Sequence, residues 1–339
     1  MGISGTRRWS NAEAVNVLVT GATSLLGLAT VRCLRERGDV VTAFQRGASD
    51  LGVAEVRGDV GSADDVERAM KGQRAVVHLA AKVAVTGVWA EFERVNIDGT
   101  RTVLNAARRA GVERFVHVSS PSVAHSGEPL IGVGAGHADP ATTRGHYSTS
   151  KAHAEIQALG ATSDDMAVVA IRPHLVWGPG DKQLVGRIVE RARAGRLAII
   201  GSGSALIDTT FVDNAADALV AALDAAPRLG GQALVVSNGQ PRTVAELVSR
   251  IVIAAGLPAP RRHVPAKLAF GVGLVAERVW ERLDRTDDPP MTSFLAEQLS
   301  TAHWFDQRST RTLLAWQPKV SIDEGFAHLA AWFHPHLSP

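Results

Sequence analysis

The chain contains 339 residues, of which 45% are hydrophobic and 21% are charged, and its formal net charge at neutral pH is +2. This length is enough for one large α/β domain or two smaller ones, and the balanced charge gives no reason to expect a nucleic-acid partner. The single cysteine, Cys33, excludes an internal disulfide and a cysteine-based zinc site, and no other metal centre is predicted.

The N-terminal residues 1–13 are polar and contain no apolar run of the length found in secretory signals. We therefore predict a flexible extension there. The chain also lacks a stretch of about 18 consecutive apolar residues, so no transmembrane helix is predicted. These features favour a cytoplasmic protein.

The first half of the chain alternates short β-rich runs with helical patterns, which is typical of βαβ units around a parallel sheet. Strands are predicted at residues 14–20, 40–45, 54–57, 75–79, 114–119 and 166–172. Helices are predicted at residues 26–37, 62–70, 91–110 and 147–159. This order predicts an α/β fold, a Rossmann-like doubly wound parallel sheet whose nucleotide-binding domain covers residues 14–180.

Beyond Pro173 the pattern is less regular, and it predicts a smaller C-terminal lobe over residues 181–339 that mainly binds substrate, with some segments returning to the sheet. Helices are expected near residues 183–194, 214–222 and 243–255, and strands near 197–200 and 233–236. Residues 127–143 are too long for a simple connector, which is typical of functional or mobile loops.

The segment 264–283 is apolar at first and charged later. A helix packed into the core is one interpretation of this pattern. An interfacial helix that makes peripheral membrane contact, or a helix buried against a long apolar ligand, are the alternatives.

The motif TGATSLLG at residues 20–27 lies between the first predicted strand and the first predicted helix, the context of a dinucleotide-binding fingerprint. Gly21 permits the tight turn, Gly27 permits close packing of helix and strand, and the helix N-terminus attracts pyrophosphate. The middle position, normally glycine, is Ser24, whose hydroxymethyl group either fits beside the phosphate or donates a hydrogen bond to the cofactor. The residues expected to contact the cofactor here are Gly21, Thr23, Ser24, Leu25, Leu26 and Gly27.

The end of the second predicted strand normally carries an acid for the adenosine ribose, but here Gln45 is followed by Arg46. A guanidinium pairs with a 2′-phosphate that a carboxylate would repel. The sequence therefore predicts a preference for NADP(H), with NAD(H) as the alternative if Arg46 is merely solvated.

Three further sets of residues follow strand ends, where ligands bind in such sheets. Asp59, with Val60, can accept a hydrogen bond from the adenine amino group, unless Asp59 caps the next helix. Leu79, Ala80 and Ala81 are small enough to lie beside a cofactor ribose, whereas His78 is interpreted as a core histidine.

Tyr147 is the only tyrosine, and Lys151 stands four residues later, on the same face of a predicted helix. A neighbouring ammonium favours the phenolate and brings the phenol pKa toward the working range of an acid–base catalyst. An ordinary amphipathic helix start is the alternative.

Two further residues are candidates for the same site. Ser120 ends the fifth predicted strand and can hold a substrate oxygen. Asn96 is followed by Asp98-Gly99 inside a predicted helix, and this locally unfavourable sequence suggests a functional or packing role.

These motifs occur in the order found in the extended short-chain dehydrogenase/reductases, and the resemblance spans about residues 15–332. Within that family the chain most resembles the 3β-hydroxysteroid dehydrogenase branch, in SSPSV at 119–123, RPHLVWGPGD at 172–181 and TFVDNAA at 210–216. FQRG at 44–47, RARAGRL at 191–197, VSNGQP at 236–241 and FLAEQLSTAHWF at 294–305 resemble bacterial reductases of long-chain olefin synthesis that act on 2-alkyl-3-oxo acids.

The resemblance implies an enzyme whose catalytic residues are Ser120, Tyr147, Lys151 and Asn96, with Pro173 and Val176 near the nicotinamide. It implies reduction of a 3-oxo to a 3-hydroxy group with NADPH, on a lipid-like β-keto acid or, alternatively, oxidation of a 3β-hydroxysteroid with or without isomerase activity. A nucleotide-sugar epimerase and a non-catalytic NADP-binding sensor are weaker alternatives, and a homodimer is expected.

Overall fold

The computed structural model describes residues 14–84, 86–125, 127–283 and 292–334. The predicted extension at residues 1–13 lies outside this part of the chain.

The chain forms fifteen strands in the described residues: β1 Asn16–Thr20, β2 Val40–Gln45, β3 Ala54–Arg57, β4 Ala75–His78, β5 Arg114–Val118, β6 Leu130–Val133, β7 Ala167–Pro173, β8 Val176–Trp177, β9 Ile199–Ile200, β10 Leu206–Ile207, β11 Thr210–Phe211, β12 Ala233–Val236, β13 Arg242–Thr243, β14 His263–Val264 and β15 His303–Phe305. The α-helices of the same residues are α1 Leu25–Arg37, α2 Ala63–Met70, α3 Trp89–Phe92, α4 Gly99–Arg109, α5 Gly145–Leu159, α6 Leu184–Arg193, α7 Val212–Leu229, α8 Val244–Ala254, α9 Ala266–Arg282, α10 Ser293–Gln298, α11 Arg308–Leu314 and α12 Ile322–Phe333.

Seven parallel strands form the central sheet in the order β12-β7-β5-β4-β1-β2-β3. Strands of this kind are apolar on both faces because helices cover both, and Val17, Leu18 and Val19 of β1 are fully buried. One apolar core lies under α1 and α7, and the other lies under α2, α4 and α5. The predicted doubly wound α/β fold is confirmed, and its switch point, where ligands bind, lies between β1 and β4.

Two elements of the second half complete the sheet layer. Helix α7 is longer than the predicted 214–222 and packs against α1 and β7, and β12 pairs in parallel with β7. The remaining segments surround a separate core formed by α6, α8 and α12 with β8–β11, together with a small four-stranded sheet of order β13-β10-β15-β6.

The predicted helix 91–110 is not a single regular helix. Residues Glu93–Asp98 form a π-helical turn between α3 and α4. Such insertions widen the helix and are frequent at functional sites. Asn96 lies in this turn. In the sequence, only the low helix propensity of this residue indicated the turn.

Helix α9, which covers most of the segment 264–283, packs against its neighbours on one side only. One side approaches the start of α10 closely, since a Cβ atom at Gly273 would lie 2.4 Å from the backbone nitrogen of Ser293. The other side is exposed at Leu268, Val272, Val275 and Val279. Within the described ranges, no helix combines the length and the hydropathy needed to cross a bilayer.

Candidate active site

The turn between β1 and α1 is so tight that two positions accept only glycine. Gly21 has a φ of +68°, and a Cβ atom there would lie 2.9 Å from the backbone nitrogen of Ala80. At Gly27 a Cβ atom would lie 2.4 Å from the carbonyl oxygen of Gly21. The first N–H groups of a helix have no intrahelical acceptor and carry the positive end of its dipole. The cradle therefore fits a pyrophosphate, with Thr23 exposed and Leu25 and Leu26 half-buried along it.

Ser24 replaces the usual middle glycine without strain, because its φ of −71° is an ordinary value for any residue. Its hydroxyl accepts a hydrogen bond of 3.0 Å from the Gly27 nitrogen and donates one of 2.9 Å to the Gly21 oxygen. Ser24 is thus the N-cap of α1, and its hydroxyl proton is already used within the turn.

At the end of β2, Arg46 is exposed and makes no hydrogen bond or ion pair with another described residue. Glu55 of β3 supplies a carboxylate to this region that sequence reasoning missed. It accepts hydrogen bonds of 3.0 Å from the Gln45 side chain, 2.7 Å from the Ser49 nitrogen and 2.8 Å from Arg57. Hydrogen bonds from Ser49 and Arg57 lower the pKa of Glu55 to about 2. Because Gln45, Ser49 and Arg57 all donate hydrogen bonds to this carboxylate, Glu55 is paired, whereas Arg46 has no partner among the described residues.

Asp59 is not the cap of α2, which corrects one of its two interpretations. Ser62 caps that helix, while Asp59 Oδ1 accepts hydrogen bonds of 2.8 Å from the Gly61 nitrogen and 3.2 Å from Arg94. Val60 is buried against Gly99, where a Cβ atom would lie 2.7 Å from its Cγ2.

His78 is confirmed as a core histidine. Its Nδ1 lies 2.8 Å from the Thr20 hydroxyl and its Nε2 lies 3.1 Å from the Thr100 hydroxyl. Burial, and then the charge of Lys151, lowers the pKa of His78 to about 3, so the ring stays neutral. The Thr20 hydroxyl also accepts a 3.1 Å hydrogen bond from the Ala80 nitrogen, which fixes the backbone of the Leu79–Ala81 segment beside the glycine turn.

The buried amide of Asn96 joins two segments of the site. Its oxygen accepts a hydrogen bond of 2.7 Å from the Lys82 nitrogen, and its nitrogen donates bonds of 3.2 Å to the Lys82 oxygen and 2.9 Å to the Ser150 hydroxyl. Ser150 in turn donates to the carbonyl oxygen of Tyr147 at 2.8 Å. Among the described residues, Asn96 is linked to Tyr147 by hydrogen bonds only through Ser150.

Tyr147 and Ser120 are brought together at the carboxyl edge of β5. Burial raises the pKa of the Tyr147 phenol, and a hydrogen bond with the Ser120 side chain opposes that rise. The Ser120 hydroxyl also lies 2.9 Å from the Ser122 hydroxyl. The neighbouring Ser119 is buried, and its hydroxyl has no partner in the described part of the chain.

Lys151 lies at the same edge but is directed at β5. Its ammonium donates a hydrogen bond of 2.6 Å to the Val118 carbonyl oxygen and lies 3.5 Å from His117 Nε2. Burial lowers the pKa of Lys151 to about 8, although Glu155 acts in the other direction. Burial is the largest influence on the pKa of Tyr147 among the protein groups, so the effect of Lys151 on the phenol stays a prediction.

The sequence profile of the 3-beta hydroxysteroid dehydrogenase/isomerase family matches residues 18–266. The chain belongs to this family. The family resemblance predicted from the motifs is confirmed, and the protein is an NAD(P)-dependent oxidoreductase of the extended short-chain dehydrogenase/reductase class.

Relatives within and beyond this family cover nearly the whole chain. The 2-alkyl-3-oxoalkanoate reductase of Stenotrophomonas maltophilia is 40% identical over 94% of this chain and 99% of its own length. The mouse sterol-4-alpha-carboxylate 3-dehydrogenase, decarboxylating, is 30% identical over 99% and 95%. The solved structure of MoeE5 in complex with UDP-glucose and NAD is 26% identical, with a TM-score of 0.73 over 95% of this chain and 100% of that one.

In this member of the family, a buried ion pair fixes α5 to the sheet. Arg172 of β7 donates hydrogen bonds of 2.8 and 2.5 Å to the Glu155 carboxylate of α5, and it also binds the carbonyl oxygens of Ala135 and Gly136. The sequence presented Arg172 only as part of a family motif, and the pairing with Glu155 carried no sequence signal. Pro173 and Val176 follow directly, at the carboxyl edge where β7 leaves the sheet.

Proposed function

We propose that the protein uses NADPH to reduce the 3-oxo group of a 2-alkyl-3-oxoalkanoate, a β-keto acid, to a 3-hydroxy group. The observation that carries this proposal is the position of Tyr147 and Ser120 at the end of β5, where Lys151 of the same helix binds the Val118 carbonyl oxygen, with only β4 between that strand and the glycine turn after β1. The name of the Stenotrophomonas relative supports the substrate class.

In the proposed reaction, Ser120 donates a hydrogen bond to the substrate carbonyl oxygen and Tyr147 transfers its phenolic proton to that oxygen. A bound nicotinamide supplies the hydride that reaches the carbonyl carbon, so the ketone becomes a secondary alcohol. The Tyr147 phenolate that remains is favoured by the nearby positive charge of Lys151 and is reprotonated from water. Asn96 acts through Ser150 by holding the first turn of α5.

The proposed cofactor site uses the cradle described above. The residues assigned to it are Gly21, Thr23, Ser24, Leu25, Leu26, Gly27, Arg46, Asp59, Val60, Leu79, Ala80, Ala81, Lys151, Pro173 and Val176. Arg46 supports NADP(H) over NAD(H), because its guanidinium is exposed and without a partner among the described residues, while Glu55 is paired.

A second candidate is a 3β-hydroxysteroid dehydrogenase, which the mouse sterol relative favours. Two assays distinguish the two candidate functions. One follows NADPH consumption with a 2-alkyl-3-oxo acid or a 3-oxosteroid, and the other follows NADP⁺ reduction with the corresponding alcohols. We expect turnover of the acid pair. Turnover of the steroid pair alone would overturn the first assignment, and turnover of neither would leave the epimerase and sensor alternatives.

We also propose that the exposed apolar side of α9 makes peripheral contact with a membrane, where a lipid-like substrate resides. The homodimer and the cytoplasmic location stay predictions, the first to be checked by light scattering of the purified chain and the second by cell fractionation.

A further inference from the structure

Three buried histidines follow β5 and β7 or begin β15, and they take no part in the chemistry above. His125 ends the 3₁₀ turn Pro121–Ala124 that follows Ser120, and His174 comes directly after β7. His303 begins β15, and its ring centroid lies 4.9 Å from that of His174. All three are more than nine-tenths buried.

Four ring nitrogens in this cluster lack hydrogen-bond partners within the described ranges. They are both nitrogens of His125 and the Nδ1 atoms of His174 and His303. Buried polar atoms are nearly always paired, because an unpaired one loses its hydration without replacement. A concentration of unpaired nitrogens in the segments that follow β5 and β7, as Ser120 does, therefore points to a polar group of the substrate.

The partner of the second His303 nitrogen shows which proton that ring carries. His303 Nε2 lies 2.8 Å from the Gln298 carbonyl oxygen, which can only accept, so the neutral ring keeps its proton on Nε2 and has a lone pair at Nδ1. An anion can therefore bind at His303 Nδ1 only if that ring gains a second proton, whereas neutral His125, with both nitrogens unpaired, has one N–H to donate.

The charged side chains that act on His125 are the carboxylates of Glu297 and Glu128 and the guanidinium of Arg144, and Glu128 is exposed to solvent. Arg144 binds both oxygens of Glu297 at 2.8 Å, so that carboxylate is already neutralised. In the part of the chain that the structure describes, no group of three His, Cys, Asp or Glu side chains is arranged to hold a metal ion.

Polar side chains connect Ser120, which would bind the reacting carbonyl, to the histidines. The Ser120 hydroxyl contacts the Ser122 hydroxyl at 2.9 Å, and residues three apart on a 3₁₀ turn, such as Ser122 and His125, lie on one side of it. In a β-keto acid the carboxyl carbon is two bonds from the ketone carbon. We propose that His125, His174 and His303 form the subsite for the substrate carboxylate, which binds together with one proton; this rests on the function proposed above.

The test compares a 2-alkyl-3-hydroxyalkanoate with its methyl ester in the oxidation direction with NADP⁺, because a β-keto acid loses CO₂ in solution. We expect His125→Leu to raise KM for the acid about tenfold or more and to leave KM for the ester unchanged. His153→Leu, at an exposed position of α5, is the matched control and should change neither. Calorimetry of the wild-type NADP⁺ complex in two buffers should show uptake of about one proton with the acid and none with the ester.

An unchanged acid KM in His125→Leu, an equal rise for acid and ester, or acid binding without proton uptake would overturn the subsite. NADPH binding by His125→Leu checks that the variant is folded. If it does not bind NADPH, the KM values for the acid and the ester are measured with His303→Gln instead. An equal change in KM for both substrates overturns the subsite. Wild-type protein that oxidises neither compound contradicts the proposed function itself, a separate outcome.

Discussion

The side-chain nitrogen of Asn96 donates a hydrogen bond of 2.9 Å to the hydroxyl of Ser150, which donates one of 2.8 Å to the carbonyl oxygen of Tyr147. Because Asn96 also binds both backbone groups of Lys82, the π-helical turn holds the first turn of α5 against the segment after β4. The position of the phenol therefore depends on a residue that does not touch it.

Asn96→Ala should lower kcat by about 10- to 100-fold, because it removes the hydrogen bond that supports the first turn of α5. It should also lower the free energy of unfolding by about 1–3 kcal/mol, since the Lys82 backbone groups lose their partner. Steady-state kinetics and urea unfolding check this. Asn105→Ala, at an exposed position of α4, is the control, and equal losses in both variants would refute the supporting role.

Arg46→Ala should raise KM for NADPH by about 10- to 100-fold, the effect of losing hydrogen bonds to a charged phosphate. NADH lacks the 2′-phosphate, so its KM should stay close to the wild-type value and serves as the internal control. Equal changes for the two cofactors would show that Arg46 does not bind the phosphate.

The buried ammonium of Lys151 makes stability depend on alkaline pH. Its pKa is lowered from 10.5 to about 8 in the folded chain, so between these values the unfolded chain binds the additional proton. Stability should therefore rise as the pH increases from 8 toward 10.5, by up to about 3 kcal/mol. Denaturant unfolding of wild type and Lys151→Met over this range isolates the effect. A difference between the two that stays constant with pH would show that the pKa of Lys151 is not lowered.

Val275→Glu should reduce binding to phospholipid vesicles if α9 contacts a membrane, because a carboxylate on the apolar side would have to be desolvated. Ile253→Glu on α8 is a matched control, since the two side chains are 60% and 58% exposed. Flotation with anionic vesicles should separate them, and equal flotation of both variants would argue against contact through α9.

The sheet and the glycine turn were predictable because their signals are local. Short β-rich runs that alternate with helical patterns predicted β1 to β5. The turn after β1 needs glycine at Gly21 and Gly27 because neighbouring backbone atoms lie too close for a Cβ atom. Tyr147 stood out because it is the only tyrosine, and its spacing to Lys151 is that of one helix face.

The remaining features depend on partners far apart in sequence. Glu55 meets Gln45 only because β2 and β3 pair in register, and Arg172 meets Glu155 only because α5 packs on β7. The same limit applies to Lys151, whose spacing on the helix suggested an effect on the phenol but whose ammonium is drawn to the end of β5. Periodicity describes single elements and carries no information on such contacts.

Proton transfer from Tyr147 is tested most directly by the rate of 2-alkyl-3-oxo acid reduction by Tyr147→Phe, measured together with NADPH binding by fluorescence. The substitution removes one hydroxyl and leaves the ring that fills the site. We predict a fall in kcat of about 100- to 10,000-fold, the range for loss of a general acid, with NADPH affinity unchanged. A variant that binds NADPH and reduces the substrate at the wild-type rate would contradict the proton transfer from Tyr147.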